Sequence, residues 1–569
     1  MMNKIVTGSI VVAVAITSVN ASGLTDRLNA LESEIADLKK KVKKQNRKIN
    51  KVKAHDAGDN IKWGVDFRTA MDKIKYDMAD GSTREKKALF TNRLWLNMEY
   101  SPNPQNVFKG QLSMYKAYGA DFGQREDLSL NGFGFRGAGF DTFDWITNEA
   151  LRDGRLSVRQ AYWLYLGEKF LGADIPWSFS LGRRPSTGGF LANLRNDDIA
   201  QSPLGHIINV EFDGLSSKLD LSNITGVPGM SFKICMGLGS TNAVPRLGNL
   251  SSTDYSKSTG KKLDGSDILE DTQLAGFIFE PYNDGQFIVK TTAFKAFNMP
   301  GFDSPGFAGA FQGGKAGFSQ NGNMLGAAIS VMVDGLTEEG FLADTKIFGS
   351  FAWSETDPDG NKYMLGLDPT ALRFPAGSPG FGAKEGEAKS GTSYWIGAQI
   401  PVTEDGVFGL EYNHGSQYWR PFDYGEDTLG GSKLATRGDA IEAYFTYQIN
   451  DALSAQVRYT RMDYDYAGSN GFFGSGGTPI DIDKAKAGAS AFKTRGVTQA
   501  DLQTMMVGTP NMAVQQAIGG IMEENNMEMT PKNQQVAGGQ LAGEALNASF
   551  ASAIVDKAED FRFYLRYRF

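Results

Sequence analysis

From about residue 60 onward, apolar and polar positions alternate in short runs along the chain. In "IKWGVDFRTAM", Ile61, Trp63, Val65 and Phe67 alternate with Lys62, Gly64, Asp66 and Arg68. A period of two marks a β-strand with one apolar and one polar face. Sixteen such stretches begin near residues 60, 88, 106, 155, 175, 207, 229, 271, 285, 323, 343, 391, 405, 437, 452 and 558. Each is about as long as a tilted membrane-crossing strand needs to be. The alternation is weakest at 207 and 271, where it breaks part-way. It is strictest in the last run, "FRFYLRYRF", where Phe561, Phe563, Leu565, Tyr567 and Phe569 alternate with Arg562, Tyr564, Arg566 and Arg568. In water that strand exposes a full apolar face at a chain end, an aggregation hazard. A closed barrel in a bilayer accommodates it, with one face to lipid and the other to the lumen.

The connections between runs alternate short and long. "SPNPQN", "SNITGVPG", "PYNDGQ", "TEDG" and "IND" are rich in the Asn, Gly, Pro and Asp that tight turns require. Long connections cover about 119–154, 185–206, 240–270, 298–322, 355–390, 416–436 and 466–557. This asymmetry is that of an outer-membrane barrel, with short periplasmic turns and long extracellular loops. An even strand number then puts both termini in the periplasm. The pattern predicts an all-β fold: a 16-stranded antiparallel transmembrane β-barrel over 60–569. Within the 466–557 loop, "TQADLQTMM", "PNMAVQQAIGGIMEE" and "QLAGEALNASFASAIVDKAED" have helical character, with Thr498 placed to cap the first and Pro510 near the start of the second. A loop of that length is expected to cover or constrict the lumen.

Two other segments precede the strands. Residues 1–21 have the parts of a secretory signal peptide: Lys4, an apolar run from Ile5 to Val19, and Val19-Asn20-Ala21 as a small-x-small cleavage site before Ser22. Residues 22–55 predict a periplasmic α-helical coiled coil. Leu28, Ile35, Val42 and Ile49 fall at a, and Leu24, Leu31, Leu38, Gln45 and Val52 at d. Its outer face is basic from Lys39 to Lys53, either a solvated face or a grip on anionic polymer such as peptidoglycan.

Composition narrows the chemistry. The single cysteine, Cys235, excludes an intrachain disulfide, and three scattered histidines (His55, His206, His414) leave little for a zinc or haem site. "GAFQGGKA" (Gly309 to Ala316) has Ala where a P-loop needs Ser or Thr, and "DPDGNKYMLGLD" (Asp357 to Asp368) lacks the final glutamate of a calcium loop, so it reads as a turn. His414, below "EYNHGSQYW", is the one strand-borne histidine available to a catalytic site, and no G-x-S-x-G accompanies it. The expectation is no catalytic residue, no metal site, no cofactor and no enzyme, and nothing points to nucleic acid.

The exported start, the alternating strands and the terminal Phe569 together resemble Gram-negative outer-membrane porins. More narrowly, with its coiled coil the chain resembles a porin-like family classed as a domain of unknown function. The resemblance implies that Phe563, Leu565, Tyr567 and Phe569 form the signal read by the barrel-assembly machinery. It implies a place in the bacterial outer membrane among its lipids, and leaves the solute open.

Sixteen strands leave room for an aqueous interior. Reading the polar phase strand by strand gives pore-lining Lys62, Arg68, Arg93, Lys109, Arg155, Arg159, Arg184, Lys233, Arg458, Arg562, Arg566 and Arg568, against Asp66, Glu99, Glu411 and Glu442. Such a surplus favours anions, with the negative charge of the chain placed in loops such as "RNDD" (Arg195 to Asp198). Arginines paired with inward-folded loop carboxylates would brace the wall instead. The function expected is a porin, a homotrimer passing small hydrophilic solutes; the alternative is a barrel acting as cell-wall tether or surface adhesin or receptor. Deleting residues 22–55 is expected to weaken the oligomer without preventing membrane insertion, because the insertion signal lies at the other end. Oligomers of unchanged heat and detergent resistance on gels would make the helix a tether.

Overall fold

The computed structural model describes residues 61–119, 156–240, 270–302, 318–337, 339–340, 342–368, 381–423, 429–469, 473–498, 501 and 510–569. The signal segment, the coiled-coil segment, the "GAFQGGKA" loop and most of "TQADLQTMM" fall outside them. Residues 61–100 and 105–569 form one compact unit.

Sixteen long strands, β1 to β16, make up the wall among the described residues: Lys62–Met78, Thr83–Asn103, Asn106–Ala117, Ser157–Gly167, Trp177–Arg184, Phe212–Asp220, Ser231–Ser240, Thr272–Asn283, Phe287–Phe302, Phe318–Asp334, Lys346–Pro358, Ser390–Thr403, Gly406–Gly415, Gly438–Asn450, Leu453–Tyr464 and Val555–Arg568. Each neighbours the next in one sheet. β1 pairs antiparallel with β16, from Asp66↔Arg568 to Met78↔Val555, and closes the ring. The Val65 amide donates to the Phe569 carbonyl and the Phe569 amide to the Val65 carbonyl, both at 3.0 Å, so the terminal residue makes the last rung. With no open edge, every strand finds two partners, as a spanning sheet in lipid requires.

Alternation decides which way each side chain points. On β16, Phe561, Phe563, Leu565 and Tyr567 are exposed outward, while Arg562, Tyr564 and Arg566 are buried inward. The outward row continues around the ring through Trp63, Phe90, Phe108, Trp163, Ile234, Phe277, Ile329, Phe351, Ile396, Leu410, Ile441 and Val457. An apolar belt of this kind faces lipid.

Two of the boundaries that differ from the pattern are informative. The strand expected near 207 begins at Phe212, because residues 203–212 are buried on every position rather than every second one. That run enters the barrel interior instead of lining its wall. The third helical stretch of the last loop, expected over 540–560, ends at Ala551, and Val555 to Asp560 already belong to β16.

Among its described residues the last loop includes three long helices: α1 Ile482–Thr494, α2 Met512–Glu524 and α3 Pro531–Ala551. α1 carries no signal picked up by periodicity; Asp481 caps it by accepting from the Lys484 amide at 3.0 Å. Asn511, one residue after Pro510, caps α2 through the Val514 amide at 3.1 Å. Thr498 and Asp501 exchange side-chain-to-backbone bonds at 2.8 and 3.2 Å, a capping box. Phe492, Val514, Ile521, Met522 and Leu541 give the helices their own core, and Ile482, Ala485 and Ala551 pack with Met462 and Tyr464 of β15. Arg495 clasps Glu524 at 2.9 Å and Glu544 at 3.0 Å. These hydrogen bonds, Glu544's first, raise the guanidinium's pKa, and Arg495 in turn holds Glu524 below the usual carboxylate range.

Replacing Arg495 with Gln leaves the nearly buried Glu544 without its cation and is expected to cost the helical insert about 3 kcal/mol, the low end for breaking a buried pair. Limited proteolysis within 482–551 should accelerate while the folded barrel keeps its gel mobility. The depressed Glu524 contributes stability that is present at neutral pH and fades as the pH falls through its folded value, so the wild-type insert should also become more susceptible in acid.

Candidate functional site: the occupied barrel interior

Sixteen strands enclose more space than side chains can fill. Here chain occupies it. The connection after β5, residues 185–211, crosses the interior, and residues 416–423 and 429–437 fold in to meet it. The Asn209 amide donates to the Phe422 carbonyl at 2.7 Å, and the Phe422 amide to the Ile207 carbonyl at 2.9 Å. Close approach fixes two glycines: a Cβ on Gly189 would lie 2.3 Å from the Pro203 carbonyl oxygen, and one on Gly391 would lie 2.2 Å from the Trp419 nitrogen.

One end of the crossing segment is held by packing. Leu204, Ile207, Ile208, Val210 and Phe212 join Leu274, Phe294, Met299, Met324 and Ala352 of β8 to β11, together with Trp419 and Phe422. His206 lies in this layer, its ring nitrogens 2.8 Å from Ser350 Oγ and 2.9 Å from Ser393 Oγ, against Trp395 and Trp419. A fully buried imidazole with two hydroxyl partners is a structural histidine.

The other end is held by charge. A short 3-10 turn, Leu194–Asn196, ends at Asp197 in the left-handed region with φ 51°, a conformation aspartate tolerates better than most. This tip meets the inner faces of β12 and β14 to β16. Arg566 donates to the Asn196 carbonyl at 2.6 Å and to Asp198 at 2.7 Å, while its Nε holds Asp66 of β1 at 2.9 Å. Arg568 reaches the Asp197 carbonyl at 2.7 Å and its carboxylate at 2.8 Å. Gln456 donates to the Arg195 carbonyl at 2.7 Å and Gln399 to that of Leu194 at 3.1 Å. Arg195 turns to Glu442 at 3.2 Å.

Glu442, with no solvent exposure, is the hub of this face. Lys433 lies 2.7 Å away and bridges to Glu411; Thr460 donates at 2.7 Å; Arg458 stands at 3.9 Å. Arg562 pairs with Asp72 of β1. Arg93 and Arg159 lie over the Trp95 ring at 3.6 and 4.3 Å, and Arg68 lies over Tyr564 at 5.4 Å. Arg159 also bonds Gln111 and Thr187 and lies 3.4 Å from Glu211, fastening the first residues of the crossing segment.

The expected pore-lining residues therefore divide. Arg68, Arg93, Arg159, Arg458, Arg562 and Arg566 come together as buried members of one charged face. Lys109 pairs with Glu99 at 3.1 Å, both half-exposed, and Lys62 is exposed at the start of β1. Arg184 and Lys233 line a separate cavity on the opposite side; Arg155 lies outside the described residues. Phe563, Leu565, Tyr567 and Phe569 all point to the lipid side.

Several buried acids are missing from the expected set, among them Glu211 and Glu280. Asp72 follows the inward phase of β1 beyond the point where the first run was ended. Asp560 lay within the supposed third helix. "RNDD", expected as outer-loop charge, is the tip inside the barrel. His414 faces Asp439 at 2.9 Å and stacks on Tyr394. Asp357, in the calcium-like loop, is engaged by Lys295 at 3.3 Å and Asn323 at 3.2 Å.

A closed ring of sixteen antiparallel strands, apolar outside and charged within, defines a transmembrane β-barrel. The chain belongs to the family described as "Protein of unknown function (DUF3373)", whose pattern matches residues 83–506. No curated protein matches it. Solved structures it is similar to include OmpT, an outer membrane protein of Vibrio cholerae (10% identity, TM-score 0.38, covering 90% of this chain and 97% of that one). Others are an anion-selective porin from Comamonas acidovorans (9%, 0.41, 90% and 100%) and Pseudomonas putida OprB (11%, 0.40, 91% and 96%). At such scores the likeness adds nothing to the strand register, on which the barrel rests.

Replacing Glu442 with Gln leaves Lys433, Arg195 and Arg458 around a neutral amide. Uncompensated buried charge of this kind costs about 3–5 kcal/mol. The unfolding midpoint in detergent should fall accordingly, and an unchanged midpoint would show that the hub does not stabilise the fold.

Proposed function

We propose that the chain is an outer-membrane channel of the porin kind, passing small hydrophilic solutes passively, with residues 185–211 setting the width of the path. The observation that carries this is the asymmetry of the crossing segment. Its apolar end is packed against β8 to β11, whereas its tip is held to β12, β14, β15 and β16 by ion pairs and carbonyl hydrogen bonds. Water and salt compete for the exposed part of the second kind, Arg568 with Asp197 and Asp198, and not for the packed end. Release of the tip opens a route along the charged face while the segment stays anchored.

Self-association as a homotrimer through residues 22–55 belongs to the same proposal, as does the absence of enzymatic activity. So does a lean toward anions: among the described residues, buried Arg and Lys side chains outnumber buried carboxylates twelve to nine. Fixed charge of one sign in a low-dielectric path concentrates the opposite ion.

Planar-bilayer recording of the purified full-length protein tests the reading. Asp198→Asn, which weakens two contacts to the tip, is expected to raise mean conductance at least about twofold, and the zero-current potential across a salt gradient should have the sign of anion passage. A cation sign removes the anion lean. No conductance from either the wild type or Asp198→Asn would remove the channel and favour the adhesin or tether.

A further inference from the structure

Two of the inward cations stand apart from the ion pairs of the charged face. Arg184, at the end of β5, is only 6% exposed, and its Nε has no hydrogen-bond partner. Among the described residues no carboxylate pairs with it. By contrast, Arg420 is answered by the Ser469 carbonyl at 2.9 Å and Arg437 by that of Gly477 at 2.8 Å. Lys233, on β7, donates to the neutral Ser202 hydroxyl at 2.7 Å. The acids nearby are committed elsewhere. Glu211 accepts from Thr187 at 2.6 Å and lies 3.4 Å from Arg159; Glu280 accepts from Asn283 at 2.6 Å and lies 3.6 Å from Lys290.

Arg184 and Lys233 line one cavity, enclosed by β5 to β9 and the crossing segment, with Ser186, Ser202, Leu274 and Phe294 on its walls. Lys218 and Lys290 add to the positive field at Lys233. A buried guanidinium without a counter-charge is unfavourable unless something supplies one. The guanidinium fork matches a carboxylate bidentately, and an ammonium adds a point charge beside it. The remaining wall is largely hydrocarbon, with Leu274, Phe277, Ile278 and Phe294, which suits a singly charged head on a compact apolar body better than a free phosphate.

We propose that this cavity is a binding site for a compact organic carboxylate, its head held by Arg184 and Lys233 beside Ser202 and its body against Leu274 and Phe294. The site names a solute class for the proposed channel and rests on that reading, but its test reads binding and not conduction.

Cys235 is the only cysteine of the chain and lines the same cavity, so its modification reports occupancy in the full-length protein in detergent. Benzoate is the probe, with neutral benzamide and inorganic phosphate as comparisons. A sulfonate-bearing methanethiosulfonate should label Cys235 about tenfold faster than its trimethylammonium analogue. Benzoate should slow labelling, and benzamide should not. Titration calorimetry of benzoate gives the same answer independently of thiol reactivity. Arg184→Gln and Lys233→Gln should each weaken benzoate binding at least about tenfold, the loss of one charged hydrogen bond, and Arg184→Lys less than Arg184→Gln. Heat-modifiable gel mobility confirms that each variant still forms a barrel.

Equal binding of benzoate and benzamide, or undiminished benzoate binding by both Gln variants, would overturn the site. Phosphate binding tighter than benzoate would overturn the carboxylate assignment. Benzoate binding by a protein that does not conduct leaves the site standing and removes the channel; conduction without benzoate binding does the reverse.

Discussion

A bilayer offers a peptide group nothing to hydrogen-bond with, so a spanning sheet must close on itself. In this chain the closure is the β1–β16 ladder, and its last rung is the exchange between Val65 and Phe569. Everything else follows from meeting that requirement with sixteen strands. The antiparallel ring puts every second side chain on lipid, which sorts the aromatic and branched residues outward. The same alternation forces the intervening arginines and carboxylates inward, whatever their use.

Width is the second consequence. A ring of this size cannot be filled from its own wall, and the chain fills it with two inward-folded connections. They meet the wall through two kinds of contact: an apolar layer at β8 to β11 and an ionic one centred on Glu442 and Arg566. Buried ion pairs return little net stability once desolvation is counted, yet removing one partner is expensive. The ionic side therefore fixes where the tip sits more than it adds to the stability of the fold. The helical insert is different in kind, with a core of its own and contacts to the wall through α1 and the end of α3.

The wall was legible because alternation is a strong local signal. Every expected strand start lies within five residues of the one observed, and the strict pattern of Phe561 to Phe569 gave the side-chain orientation of β16 residue by residue. What lay inside was not legible, because a segment buried on all sides has no periodicity to read. For that reason the alternation suggests a weak strand from about 207, where the wall begins only at Phe212. The charge balance of the interior was misjudged through particular residues: Asp72 beyond the first run, Asp560 in a supposed helix, and Asp197 and Asp198 assigned to an outer loop. Pairing across hundreds of residues, such as Arg566 with Asp66 and Asp198, leaves no trace in local sequence. Arg184 and Lys233 could be placed inward by phase, but only the structure shows that their neighbours are neutral or already engaged.

The position of Arg566 has a consequence for the order of assembly. It sits on the final strand, yet it bonds Asp66 across the seam and the turn at Asn196, which precedes it by 370 residues in the chain. Contacts so distant in sequence are slow to form. If the ring zipped shut before the turn had settled, Arg566 and Arg568 would be sealed in with part of their bonding unmet. Completion of the seam is thus tied to the inner segment being in place, and a correctly closed ring is also a correctly loaded one.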